Sequence, residues 1–297
     1  MLTLNIPTIN DNPRDFDKLF ELWNSVQSYV STQKRPVVAF DFSRCRFLRP
    51  NAAAFLGGLA RFIHNNYGTP EFLWHTIIWT IRTNLQKSGF EGNFGGNYQI
   101  THGNTVPYRE DNTLSTKDSI INYLTHDWLG PGWVNVSEKL GSAIVGRTYE
   151  IYWNALEHSH SPIGVFSCGQ RYPQKKELIL TVVDFGVGIP YHVRNFLNKP
   201  ELGADKALKW AFQEGNTTVR DTCRGLGLGL LKEFVFKNEG KIEVYSHDGY
   251  AVINNEVETY AVRSSHFPGT VLNIKFNCDN NFYCFANEHQ GDLFEED

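Results

Sequence analysis

The chain has 297 residues, of which 41% are hydrophobic and 14% aromatic, enough for packed cores in two domains of ordinary size. The formal net charge is −4 and lysine and arginine form no block, which argues against a nucleic-acid-binding protein. No apolar run approaches the roughly 20 residues that span a bilayer, and the five cysteines contain no Cys-x-x-Cys pair. We therefore expect a cytoplasmic protein without a membrane anchor or a disulfide framework.

The first part of the chain predicts a strand between two helices. Residues 19–30 carry apolar side chains at amphipathic-helix spacing, and residues 37–42 form a continuous apolar run that predicts a buried strand. Residues 50–63 begin with a proline and keep small and apolar residues on one face, as expected for a helix. A strand, a turn and a helix in this order form a β-α unit.

This segment resembles a STAS domain, the fold of anti-anti-sigma factors and related bacterial regulatory modules. The likeness rests on residues 41–43, on the small-residue helix and on the Leu-x-x-x-Gly-Phe pattern that ends at Phe90. STAS switches carry a phosphorylatable hydroxyl at the start of that helix, whereas this turn reads Leu48-Arg-Pro-Asn-Ala52. The resemblance implies a docking module that binds a protein partner or a second copy of the chain, rather than a phosphorylated switch. A generic α/β domain is the alternative.

Residues 90–117 are rich in glycine, asparagine and charged side chains, which predicts a linker. Beyond it, apolar residues at near-helical spacing between Leu140 and Leu156 predict a helix. Glu150 and Asn154 are four residues apart, so they share one face of that helix.

The most informative stretch is a β-branched apolar run that ends at Asp184 and is followed by Gly186 and Gly188. The composition and short length of the run predict a buried strand. Asp184 therefore lies at a strand end, where the chain leaves the core and side chains meet ligands. The two glycines permit close approach of the backbone.

Two more glycine-containing stretches follow. Gly225, Gly227 and Gly229 alternate with leucine directly before a helical pattern. Free amides at a helix start beside small residues make an anion site. Gly269 and Thr270 precede a strand with alternating apolar residues.

Together, these stretches resemble the nucleotide-binding boxes of the GHKL superfamily, the Bergerat-fold ATPases that include histidine kinases and anti-sigma-factor kinases. Their order and spacing within residues 115–276 fit as well as the residues do. Glu150 and Asn154 match the N box, Asp184, Gly186 and Gly188 the Asp-x-Gly-x-Gly box, Gly225, Gly227 and Gly229 the Gly-x-Gly-x-Gly box, and Gly269 and Thr270 the late Gly-Thr box. The resemblances imply an α/β protein with a STAS-like α/β domain over residues 1–105, a GHKL/Bergerat α/β sandwich over residues 115–280 and an acidic C-terminal tail over residues 281–297.

The GHKL resemblance also implies ATP and Mg²⁺ as cofactors. Asn154 matches the magnesium ligand, and a neutral oxygen suits an ion that keeps several waters and bridges phosphates. Glu150 is the expected general base, which orients or deprotonates a water. Asp184 is expected to accept a hydrogen bond from the adenine amino group, with support from Thr270.

The segment between residues 190 and 225 is expected to form a lid over the phosphates. Thr217 and Arg224 within it are expected to bind the nucleotide, together with the glycines of the two boxes. Arg220 and Arg224 are candidate phosphate contacts, and ordinary surface charges are the alternative for both.

Two classes of function fit these residues. Glu150 favours a soluble ATPase or an anti-sigma-like protein kinase in a bacterial regulatory system. The alternative is an ATP-gated protein-interaction module with little turnover. The sequence before the N box has no obvious dimerisation helix with a phosphoacceptor histidine, which argues against a histidine kinase. We further expect nucleotide binding to survive deletion of residues 1–105.

Overall fold

A computed structural model describes residues 1–10, 12–97, 103–112, 115–213, 215–216, 228–255 and 257–288 of the protein. Within these ranges the chain is an α/β protein with a parallel sheet of three strands followed by an antiparallel sheet of five. The strand orders are β1-β2-β3 and β4-β5-β6-β8-β7. The strands are β1 (Leu2–Asn5), β2 (Val37–Asp41), β3 (Thr69–Phe72), β4 (Thr105–Asp111), β5 (Val165–Tyr172), β6 (Glu177–Asp184), β7 (Lys241–Asn254) and β8 (Val257–Asn277).

The helices surround both sheets. They are α1 (Pro13–Val30), α2 (Pro50–Asn65), α3 (Trp79–Lys87), α4 (Phe90–Asn93), α5 (Lys117–Asn122), α6 (Glu138–His158), α7 (Gly188–Leu197), α8 (Ala204–Ala211) and α9 (Leu228–Lys237). A π-helical segment, Tyr123–Leu129, continues α5. The predicted helices over residues 19–30 and 50–63 and the strand over residues 37–42 are confirmed as α1, α2 and β2.

The prediction of a linker over residues 90–117 is wrong for β4, which pairs with β5 at the edge of the five-stranded sheet. An edge position accommodates Pro107, which has no amide to donate. The charged side chains that suggested a linker are paired: Arg61 of α2 donates to Glu110 at 2.8 Å, and Arg109 donates to the buried Asp111 at 2.6 Å. The polar composition of residues 105–111 therefore did not predict strand β4, because the residues that pair with it are distant in sequence.

Helix α2 lies between the two sheets and is buried on both sides. It contacts β3 on one side and β5 and β6 on the other. Gly57 and Gly58 allow this approach, because a Cβ at either position would lie about 2 Å from a side chain of the other layer. The small residues that predicted a helix thus also permit close packing against a second sheet.

Helix α1 covers the same face of the five-stranded sheet. Phe16 stacks on Tyr245 with ring centroids 4.1 Å apart, and Phe20 stacks on Phe267 at 5.3 Å. Arg263 donates to Asp17 at 2.5 Å and ties α1 to β8. One continuous apolar cluster therefore joins the first hundred residues, β1–β3 and α1–α4, to this sheet face. We call these elements the N-terminal module.

The opposite face of the five-stranded sheet packs against α5, α6, α8 and α9. Leu178, Leu180 and Val182 of β6 face this second cluster, whereas Val183 and Phe185 belong to the first. This alternation follows from the strand period of two. The strand end at Asp184 therefore lies between two packed layers.

The C-terminal residues 282–288 pack beside the start of α6. Tyr283 bridges to Val136, and the Ser137 hydroxyl donates to Glu288 at 2.8 Å. Residues 289–297 of the predicted acidic tail lie outside the described residues. Among the helices in the described ranges, none combines the length and the apolar character needed to cross a membrane.

Candidate functional site

Asp184 is the last residue of β6, and only 5% of its surface is exposed. It lies directly opposite Thr270 on β8. Its Oδ1 atom accepts a hydrogen bond from the amide of Gly186 at 2.9 Å. The carboxyl group is therefore held at the strand end by the loop that follows it.

Burial raises the pKa of Asp184 to about 7, although hydrogen bonds from the Gly186 amide and from Thr270 oppose the rise. Desolvation has this effect because it disfavours the charged form of an acid. A buried acid whose pKa is strongly raised by its surroundings marks a candidate functional site.

The glycines of the loop lie where a side chain would not fit. A Cβ on Gly186 would lie 1.9 Å from the carbonyl oxygen of Ser159, the residue after α6, and one on Gly269 would lie 2.1 Å from the carbonyl oxygen of Asp184. Gly188 has a φ of +72°, which glycine adopts at little cost. The Asp-x-Gly-x-Gly loop, the Gly-Thr pair and the end of α6 therefore meet at one place.

Two residues at this site have no signal in the sequence. The Ser246 hydroxyl accepts from the Ile189 amide at 3.0 Å and lies 3.2 Å from the hydroxyl of Thr270. His247 lies 2.7 Å through Nε2 from the carbonyl oxygen of Val187 and 3.2 Å through Nδ1 from Arg194. Because Arg194 is a donor, Nδ1 accepts and Nε2 carries the proton.

The neutral form of His247 is also favoured by its surroundings, since burial lowers its pKa. The imidazole thus links the Val187 carbonyl to α7. The Val187 amide donates to the Ser159 carbonyl at 2.7 Å. The carbonyl and the amide of Val187 are therefore both hydrogen-bonded, and these two contacts fix the loop between Asp184 and α7.

Glu150 and Asn154 lie on α6, as predicted, and both are half-buried. Glu150 accepts a hydrogen bond from Arg147 at 2.8 Å. The Asn154 side chain makes no hydrogen bond with any residue that the structure describes. Ser159 is five positions after Asn154, which is about 7.5 Å along a helix axis. The helix that carries both side chains therefore ends against the Asp184 loop.

The Gly-x-Gly-x-Gly stretch is described only at its end. Gly229 lies in the first turn of α9, and a Cβ there would meet no atom of the described residues within 4 Å. Helix α9 packs against α6, so the start of α9 belongs to the layer that carries Glu150 and Asn154. Thr217, Arg220, Arg224, Gly225 and Gly227 lie outside the described residues.

No group of three or more His, Cys, Asp or Glu side chains is placed to hold a metal ion in the part of the chain that the structure describes. A Mg²⁺ ion that bridges phosphates needs few protein ligands. The amide oxygen of Asn154 is an oxygen donor of the kind that this ion prefers. The donor chemistry on α6 therefore fits Mg²⁺ bound together with a nucleotide.

Neither a scan of protein-family models nor a search of curated proteins gives a match to this chain.

We expect ADP affinity to fall as the pH decreases through the pKa of Asp184, by up to about tenfold per pH unit below that pKa, because only the ionised carboxyl offers its full acceptor charge to the ligand. Calorimetry between pH 5.5 and 8 measures this slope. Asp184→Asn is the control, since it keeps the phosphate titration of ADP and loses that of the carboxyl. Equal slopes in both proteins would contradict the assignment.

Without ligand, the same group acts on stability in the opposite direction to an ordinary aspartate. The folded protein holds this proton more tightly than an unfolded chain, in which an aspartate has a pKa of about 3.9. The carboxyl therefore lowers the free energy of unfolding as the pH rises from about 4 to about 7.

Proposed function

We propose that the protein is a magnesium-dependent ATP-binding protein of the GHKL superfamily, which acts as an ATPase or an anti-sigma-like protein kinase in a bacterial regulatory system. The observation that carries the proposal is the buried Asp184 carboxyl, with Gly186 and Gly269 packed against it and the end of α6 beside it. These contacts bring two of the four sequence motifs together beside the end of α6, the helix that carries Glu150 and Asn154.

The chemistry of Asp184 supports adenine as the base. Adenine presents an exocyclic amino donor where guanine presents a carbonyl acceptor. An ionised carboxyl that faces a carbonyl would leave the carbonyl oxygen and the facing carboxylate oxygen without a donor between them, which costs about 1–3 kcal/mol. The site therefore favours ATP over GTP.

The phosphates are assigned to the start of α9 and the facing side of α6. The first turn of α9, where Gly229 adds no side chain, would offer backbone amides to an anion. Asn154 would hold Mg²⁺, which supplies charge neutralisation and orientation of the phosphates when bound. Glu150 is half-buried, so a water can reach its carboxylate.

In the hydrolytic reaction, the oxygen of a water molecule forms a bond with the γ-phosphorus while the bond from that phosphorus to the β,γ-bridging oxygen breaks. Glu150 accepts the proton of the attacking water, and ADP leaves with the bridging oxygen. In the kinase reaction, a hydroxyl of a partner protein replaces the water. Placement of the attacking group is the main task of the protein in either case.

The N-terminal module is proposed to be a STAS-like docking domain. Its helix start offers no hydroxyl, and Arg49 and Asn51 at that place are 4% and 1% exposed. Arg49 lies over the ring of Tyr172 at 3.9 Å and pairs with Glu177 at 3.6 Å. This turn therefore packs on the five-stranded sheet of the same chain. A protein partner or a second copy would bind another surface of the module.

The second candidate function is an ATP-gated interaction module with little turnover. The shared apolar cluster between the N-terminal module and the sheet that carries Asp184 favours it. Such a cluster provides a physical route by which nucleotide binding changes the module.

The test is incubation of the purified protein with γ-labelled ATP and Mg²⁺, with and without candidate partner proteins, beside calorimetry with ADP and GDP. Free labelled phosphate indicates an ATPase, and label on a partner indicates a kinase. ADP binding without turnover indicates the gated module. Absence of ADP binding at millimolar concentration, or equal binding of GDP, would overturn the proposed site.

We expect Asn154→Ala to remove the magnesium-dependent part of ADP affinity, because the substitution deletes the one amide oxygen assigned to the ion. Calorimetry with Mg²⁺ and with excess chelator measures that part as the difference between two dissociation constants. Asn195→Ala on α7 is a control for loss of an amide side chain elsewhere. A magnesium effect of unchanged size in Asn154→Ala would exclude this residue as the ligand.

A further inference from the structure

Two consecutive residues at the end of β6 face opposite layers of the protein. Asp184 closes the candidate nucleotide site, whereas Phe185 is buried in the cluster of the N-terminal module. The ring of Phe185 lies 5.3 Å from that of Phe55 and 5.5 Å from that of Trp23, measured between centroids. Those two residues belong to α2 and α1. The site loop is thus in direct contact with both helices of the module.

The closest approach is at Gly58 of α2. A Cβ on this residue would lie 2.1 Å from Cε2 of Phe185 and 2.8 Å from the ring of Phe166. The backbone of α2 therefore rests on the Phe185 ring without a side chain between them. On its other side α2 contacts β3, so the helix is packed on both sides.

A shift of the Phe185 ring displaces Asp184, because the two residues are adjacent in the chain. The two Cα atoms are about 3.8 Å apart across one peptide unit. Protein interiors are close-packed and transmit strain rather than absorb it. The backbone around Asp184 is already in contact with Gly269, and the Gly186 amide is bonded to the carboxyl. Movement of α2 would therefore change the position of the carboxyl.

We infer that α2 positions Asp184 through the contact between Gly58 and Phe185. The packing of the N-terminal module against the five-stranded sheet and the affinity for nucleotide are therefore coupled. This inference rests on the proposed nucleotide site. Phe185 is a positioning residue, since it touches the module and acts on the ligand through its neighbour. Such coupling is reciprocal, so bound nucleotide also stabilises the packing of the module against the sheet.

The test compares Gly58→Ala with Gly57→Ala. Both add one methyl group to α2 where it packs on the layer of the five-stranded sheet, but a Cβ on Gly57 would meet Tyr108 of β4 at 2.0 Å rather than Phe185. We expect a similar fall in melting temperature for both variants. We expect at least a tenfold weaker ADP affinity for Gly58→Ala and a change below twofold for Gly57→Ala.

A rescue experiment distinguishes a positioning role of Phe185 from a general loss of stability in Gly58→Ala. Phe185→Leu in the Gly58→Ala background removes ring atoms where the methyl group was added, so affinity should return to within about threefold of the parent. Phe185→Leu alone should weaken binding, whereas Phe166→Leu, which contacts the same glycine from β5, should not. These two single variants also decide the question if Gly58→Ala fails to fold.

Amide hydrogen exchange, measured without nucleotide, tests the coupling even if the proposed nucleotide site is wrong. The Gly186 and Val187 amides, which bond to Asp184 and Ser159, should exchange faster in Gly58→Ala than in Gly57→Ala. If the parent binds no ADP but this contrast appears, the nucleotide site is wrong and the mechanical coupling stands. If the two glycine variants match in both exchange and affinity, the inference is overturned.

Discussion

Replacement of Glu150 by alanine is expected to lower the rate of ATP turnover by roughly 10²–10⁴-fold, the range for loss of a general base. ADP affinity should stay within about twofold of the parent value, because Glu150 is assigned to the attacking water and not to the bound nucleotide. Phosphate release under saturating ATP measures the first quantity, and calorimetry measures the second.

Arg147→Ala is the matched control for this experiment. It breaks the same partly exposed ion pair, which contributes little to stability, and leaves the carboxylate in place. Turnover in this variant should remain within a few-fold of the parent. Hydrolysis by Glu150→Ala at the parent rate would remove the general-base assignment and favour the gated interaction module.

Asp184→Asn is expected to weaken ADP binding by more than ~1.5 kcal/mol, which is more than about tenfold, because the amide turns a donor toward the adenine amino group. Calorimetry at pH 8 is the appropriate measurement, since the parent carboxyl is then ionised. Thermal unfolding confirms that the variant is folded.

Thr270→Ser provides the comparison for Asp184→Asn. It keeps a hydroxyl opposite Asp184 on β8, so ADP affinity should change by less than about threefold. Unchanged affinity in a folded Asp184→Asn protein would remove this carboxyl from the site.

The parts of the fold predicted from the sequence are those with a strong local pattern. The β-branched run ending at Asp184 is strand β6, and the apolar spacing around Glu150 is helix α6. Propensity and periodicity suffice for such elements because neighbours in the chain determine them.

The contacts that organise the site from a distance could not be predicted. Ser246 and His247 reach the Asp184 loop from β7, about 60 residues away, and no motif marks them. The apolar face of α2 predicted a helix but did not indicate that its partners include Phe185 and Tyr108. Contacts between side chains of different layers produce no periodic pattern of residues in the sequence.

Packing of the N-terminal module also changes one expectation. The sequence suggested that nucleotide binding survives deletion of residues 1–105. That deletion would expose Phe185, Phe166 and Phe267, all buried in the shared cluster, and would remove the support of the Asp184 loop. We now expect the shortened chain to lose stability, so point substitutions in the full chain are the better tests.

The position of β8 in the five-stranded sheet has a consequence for synthesis of the protein. This strand is the last of the sheet to be made, yet it lies between β6 and β7. Until residue 277 has left the ribosome, β6 lacks one neighbour and the apolar faces of α1 and α2 lack part of the surface that covers them. At roughly 5–20 residues per second, this wait lasts about 10–40 s after α2 is complete. We expect nascent chains of this length to expose the aromatic residues of α1, such as Phe20, until their partner Phe267 on β8 has been made, and so to be prone to aggregation in that interval.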